Sequence, residues 1–158
     1  MSSTESIRGF TLFETLIATG ILVTAFAGIA QLFVLGTQLS RQSVRSGAAL
    51  AAAQDKLESL RGVPFGYSGD GTAITDAALR ISPPTSLEQD VDCCVDWVDA
   101  GGVSREDRAQ AAFVRRWRVS EIGAGVPDAI SIEVCVFTAP AGSHPADVCL
   151  ATIRSRQP

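Results

Sequence analysis

Apolar residues run almost without a break from Phe10 to Leu35, interrupted only by Thr11, Glu14, Thr15, Thr19, Thr24 and Gln31. A helix that is hydrophobic all round has no face for water and belongs in a membrane. At about 1.5 Å per residue the run spans about 39 Å, more than the ~30 Å hydrocarbon core, so residues 10–36 are expected to form a tilted transmembrane helix.

The pattern then changes. In "TQLSRQSVRSGAALAAAQDKLESLRG", Leu39, Ser43, Ser46, Leu50, Ala53, Leu57 and Leu60 recur at spacings of four and three, while Arg41, Arg45, Asp55, Lys56 and Glu58 lie elsewhere. This spacing predicts an amphipathic continuation of the helix over 37–61, with one stripe seated on a small domain. Gly62 and Pro64 supply the stop, glycine after the last turn and proline shortly beyond. Unbroken from Phe10 to Arg61, the helix would be about 78 Å long.

Residues 62–158 read as a soluble head. Tyr67–Gly102 is rich in Gly, Ser, Pro and Asp and is expected to be mainly loop, with a short strand or helical turn. Period-two alternation returns in "AFVRRWRVSEI", "AISIEVCVFTA" and "VCLATIRS", predicting a three-stranded antiparallel meander over about 113–156. The arginines of its first strand, Arg115, Arg116 and Arg118, are expected on a solvated face. The fold class is therefore α+β: a long N-terminal helix, membrane-spanning in its first half, with a small antiparallel sheet packed on its outer half.

Composition narrows the chemistry. With 158 residues and a formal net charge of −4, the chain has no basic stripe to follow a phosphate backbone, and nucleic acid is not an expected partner. Asp90, Asp92, Asp96 and Asp99 lie in "DVDCCVDWVDAGG", but their spacing departs from a calcium loop and a solvated acidic loop is expected, with no metal. No cofactor is expected either. Cys135 or Cys149 with His144 is the one nucleophile-and-base combination, and nothing orients the histidine or marks an oxyanion hole, so the chain is not read as an enzyme.

Cys93, Cys94, Cys135 and Cys149 make an even set without a C-x-x-C pair, as in a disulfide-stapled domain of an oxidising compartment. Adjacent cysteines seldom bond to each other, so the Cys93/Cys94 pair is expected to send at most one bridge to Cys135 or Cys149. Cys135 and Cys149 could instead face each other across the last hairpin.

One charge in the apolar run needs a reason. An ionised group there costs about 2.5–3.5 kcal/mol on insertion scales, yet Glu14 is present. Gly9 followed by Phe10-Thr11-Leu12-Phe13-Glu14, behind Arg8, resembles the class III signal of type IV pilins and type II secretion pseudopilins. The resemblance implies that a prepilin peptidase removes residues 1–9, cutting after Gly9 and methylating the new amino terminus of Phe10. Glu14 would then be the glutamate at the fifth position of the mature chain. It further implies a minor pilin or pseudopilin in the inner membrane, its head in the periplasm, that later enters a pilus or pseudopilus. Its partners would be other pilin subunits and an assembly platform. "AQDKLESLRGVPFG" is similar to a stretch that often follows the membrane helix in minor pilins.

Elementary electrostatics fits this scheme. Before the cut the Phe10 nitrogen is a neutral amide; afterwards it is a protonated amine that neutralises Glu14 of a neighbouring subunit where unpaired charge is expensive. The same amine also reaches Glu14 of its own helix, four residues on. Two other readings stand beside this one. Ala25-Phe26-Ala27 resembles the end of an ordinary signal peptide cut after Ala27, which would leave a secreted, disulfide-containing binding module. The third is an anchor that is never cut.

Overall fold

The computed structural model describes residues 11–123, 128–140 and 145–156. Gly9, Phe10 and His144 lie outside them. One long helix, α1 (Leu12–Gly62), is followed by strands β1 (Phe65–Tyr67), β2 (Ala73–Thr75), β3 (Val95–Val98), β4 (Phe113–Glu121), β5 (Ala129–Thr138) and β6 (Val148–Ser155). The helix ends at Gly62, ahead of Pro64, where the sequence places its stop. By their internal contacts the residues form two units, divided between Ser43 and Val44.

In the first unit α1 carries its apolar side chains bare: Leu12, Phe13, Ile21, Phe26, Leu32 and Phe33 are all exposed. The second unit, from Val44 onward, has its own core. Its sheet runs β3-β4-β5-β6, antiparallel throughout, and β1 and β2 form a separate hairpin. The meander thus has four strands rather than three. The added β3 comes from the acidic stretch and pairs Val95 with Arg116 and Val98 with Phe113.

Within this second unit, α1 lays Ala49, Ala52, Ala53, Leu57 and Leu60 against one sheet face, where Phe113, Trp117, Val119, Ile132, Val134 and Val136 complete the core. The seam differs from the expected stripe. Ala53, Leu57 and Leu60 belong to it, but Leu39 is 67% exposed, Leu50 39%, and Ser43 and Ser46 are exposed too. Alanines make the contact because they let the helix backbone come close: the Ala52 carbonyl accepts from Arg115 Nη1 at 3.0 Å, which a large side chain would obstruct.

The strand arginines are also placed differently from expectation. Arg115 and Arg116 are only 3% and 5% exposed, because β4 is an interior strand covered on both faces. Arg115 points to the helix side and is held by Asp96 from β3 (Nε–Oδ1 2.8 Å, Nη2–Oδ2 3.1 Å) and by Asp55 from α1 (2.9 Å). Arg116 points the other way, under residues 87–90, where Asp90 Oδ1 accepts at 2.8 and 3.0 Å and the Glu88 carbonyl at 2.9 Å. A buried cation survives only when paired and hydrogen-bonded in this manner. Arg118, beside Glu133 at 2.7 Å, is the half-exposed one of the three.

Where β3 stops, loop residues continue its pairing. The Cys94 carbonyl accepts the Trp117 N–H at 3.1 Å, the Ser82 N–H donates to the Val119 carbonyl at 2.9 Å, and Ser82 Oγ accepts the Val119 N–H at 3.0 Å. These bonds satisfy β4 backbone groups that would otherwise be buried without partners.

Candidate functional site

Of the residues that carry the sequence signal, Thr11 to Glu14 are described, at the start of α1. Thr11 stands just before the helix; its Oγ1 accepts the Glu14 N–H at 3.3 Å, and its carbonyl accepts the N–H of Glu14 at 3.1 Å and of Thr15 at 3.2 Å. Thr-x-x-Glu is the spacing of a capping box, and a carboxylate in the first turn also complements the positive end of the helix dipole. Thr11 therefore caps α1 through the backbone N–H of Glu14, and among the described residues the Glu14 carboxylate makes no hydrogen bond. The signal for the cap, Thr11 three residues before Glu14, lies inside the same motif.

Other polar interruptions of the apolar run satisfy themselves. Thr15 Oγ1 donates to the Leu12 carbonyl at 2.8 Å, Thr19 to the Thr15 carbonyl at 2.9 Å, Thr24 to the Ile21 carbonyl at 2.8 Å and Thr37 to the Val34 carbonyl at 2.8 Å. Each hydroxyl is spent on its own helix and asks nothing of the surroundings. Glu14 is different: among the described residues its carboxylate makes no ion pair, and the helix around it is long and apolar enough to cross a bilayer. This is compatible with a single-pass membrane protein.

In the head, the acidic stretch is dispersed on cations rather than gathered on a vacancy. Asp90 pairs with Arg116, Asp96 with Arg115 and Lys56, and Asp99 with Arg105. Hydrogen bonding from Arg105, and from the Val103 N–H, holds the Asp99 carboxyl below its ordinary range. Burial pulls the Arg115 guanidinium down, but Asp96 and Asp55 together outweigh it and raise its pKa, so it stays charged. Lys56 lies 3.7 Å from the Trp117 ring centroid and 3.0 Å from Asp96, joining helix and sheet in one network.

The cysteines pair as expected across the last hairpin and differently from expectation at Cys93 and Cys94. β5 and β6 place Cys135 directly opposite Cys149, with Cα atoms 4.1 Å apart, and these two are bonded. With both of them spent, the sulfur within reach of Cys93 is that of its neighbour, and Cys93 is bonded to Cys94. Cys94 is buried with Ser82 Oγ 3.3 Å from its sulfur; Cys93 is exposed. Glu133 gathers with Cys135 and Cys149, the one such trio of potential metal ligands among the described residues, but both sulfurs are in the disulfide. In that state neither is a thiolate nucleophile.

A cavity of about 600 Å³ opens over Phe65, Leu79 and Ile130, with Arg80, Glu121 and Arg156 at its sides. Arg156 is already engaged by Asp128 and by the carbonyls of Gly66 and Ile74. The chain matches no family model, no curated protein and no solved structure.

Proposed function

We propose that the protein is a minor pilin or pseudopilin: a non-enzymatic subunit held in the inner membrane by the first half of α1, freed of residues 1–9 by a prepilin peptidase, and assembled with other subunits into a pilus or secretion pseudopilus. The observation that carries this reading is Glu14, the fifth residue after Gly9, standing without an ion pair among the described residues in an apolar helix that covers itself with nothing. A charge in that setting calls for a partner supplied by another molecule. Cleavage creates such a partner, because it converts the Phe10 amide into an amine. The α+β architecture, with the sheet on the outer part of the helix, accords with a stalk and a head.

The test is mass spectrometry of the intact mature protein and its N-terminal peptide, purified from membranes of a host that carries a prepilin peptidase. A peptide beginning with methylated Phe10 is the expected result. A chain that begins at Gly28, or keeps Met1–Gly9, rejects this reading.

A further inference from the structure

The two edges of the head sheet are treated differently. At β3 the edge is covered by the chain itself: the Arg105 N–H donates to the Trp97 carbonyl at 2.7 Å, and Ser104 bridges to Val98. At β6 no described residue covers it. The Arg156 N–H donates to the Asp128 carbonyl at 2.7 Å, in register with the pairs that follow it, Arg154 with Ile130 and Thr152 with Ile132. In an antiparallel ladder bonded positions alternate, so the even-numbered residues of β6 turn their peptide groups to β5. Cys149, Ala151, Ile153 and Ser155 turn theirs outward, and among the described residues those groups have no backbone partner.

Natural edges are normally blunted by lysine, proline, a bulge or shortness. β6 has eight residues, contains no lysine or proline, and exposes Ile153 to 70%. We infer that β6 is an interface for β6 of a second copy of this chain, the two strands pairing antiparallel about Thr152 into one eight-stranded sheet.

Register and charge favour this occupant. Pairing Thr152 with itself sets Ala151 opposite Ile153 and Cys149 opposite Ser155 of the second copy, so every outward peptide group of both strands gains a partner. Arg154 falls opposite Leu150 and Arg156 opposite Val148, so no like charges meet. Asp147, at the entry of β6, comes beside Arg156 of the second copy at the exit. Parallel pairing would bring the two arginine ends together. On the outer face the pairing joins Ala151 and Ile153 of both copies into one apolar patch, the kind of cross-strand contact that stabilises sheets.

The two-fold axis of such a pair is normal to the sheet. The residue 49–60 stretches of α1 then lie on one face and run in opposite directions. The contact joins two heads edge to edge, and it is independent of the contact proposed for Glu14.

The full-length protein in detergent tests this. Light scattering on a size-exclusion column is expected to give a dimer, and Ile153→Pro, which removes an outward N–H and leaves the β5 ladder intact, is expected to raise its dissociation constant about tenfold or more. Ile153→Lys keeps every backbone group and should do the same, which separates edge pairing from misfolding. All four native cysteines are in disulfides, so an introduced thiol is unique. Thr152→Cys, at a non-hydrogen-bonded pair on the axis, should cross-link to itself under mild oxidation, and Ala151→Cys should not. A wild-type monomer at the highest soluble concentration overturns the proposal. So does a dimer that both Ile153 variants leave unchanged, or one in which Ala151→Cys cross-links as readily as Thr152→Cys.

Discussion

Arg115 and Asp96 form a two-bond pair across adjacent strands, Nε to Oδ1 at 2.8 Å and Nη2 to Oδ2 at 3.1 Å, and the arginine side chain is almost wholly out of water. The planar guanidinium matches the carboxylate edge to edge, a geometry that lysine does not reproduce.

Removing one partner strands the other. Asp96→Ala should destabilise the head by about 3 kcal/mol, because the largely exposed Asp55 is then the one carboxylate left to Arg115, beside the Ala52 carbonyl. Asp55→Ala should cost about 0.5 kcal/mol or less, since that carboxylate is mostly in water. Urea unfolding of the full-length protein in detergent, followed by tryptophan fluorescence, reads both; equal effects would contradict the ranking.

The two disulfides should differ in worth. Cys135–Cys149 closes a separation of 14 residues, and the chain-entropy model assigns about 3 kcal/mol to a loop of that size. Cys93–Cys94 closes no loop beyond adjacent residues and should contribute little by that route. Replacing Cys135 and Cys149 together by serine should therefore lower the urea midpoint clearly more than replacing Cys93 and Cys94 together.

Glu14→Gln removes the charge and keeps the backbone N–H that Thr11 accepts. Under the proposed function, Glu14→Gln should still be cut after Gly9 and should be nearly absent from sheared filaments. Normal incorporation would refute charge pairing at Glu14.

Acid should reach one exposed turn late. The Ser68 hydroxyl, with the Thr72 N–H behind it, holds the Asp70 carboxyl down from its ordinary 3.8 to about 2. A folded value below the unfolded one means that the stabilisation is complete above the ordinary carboxyl range and disappears as pH falls from there toward 2. Carboxyl titration by NMR should place Asp70 well below the ordinary carboxyl range, and Ser68→Ala should move it back up.

Much of this architecture is legible in the chain, and what is not has a common cause. The end of α1 is written in Gly62 and Pro64, and β4, β5 and β6 in their alternation, because local rules set both. The burial of Arg115 and Arg116 depends on carboxylates 60, 19 and 26 positions away, Asp55, Asp96 and Asp90, and no window of alternation contains them. β3 escaped notice for the same reason: Val95-Asp96-Trp97-Val98 reads as acidic loop until Arg115 arrives to neutralise it. The seam of α1 was displaced toward Ala49 and Ala52 because closeness of backbone, rather than side-chain size, governs that contact. At the candidate site the motif from Gly9 to Glu14 is local and legible in the chain, whereas the cap formed by Thr11 depends on where the helix begins, which the continuous apolar run does not mark.

Arg115 grips α1 at the Ala52 carbonyl and Arg154 grips it at the Leu60 carbonyl, near the two ends of the buried seam. A tension applied to the head along this part of the helix would meet both grips, and the alanine and leucine contacts between them, simultaneously. The joint is loaded in shear. Its parts share the force instead of failing in succession, as a peeled hairpin does.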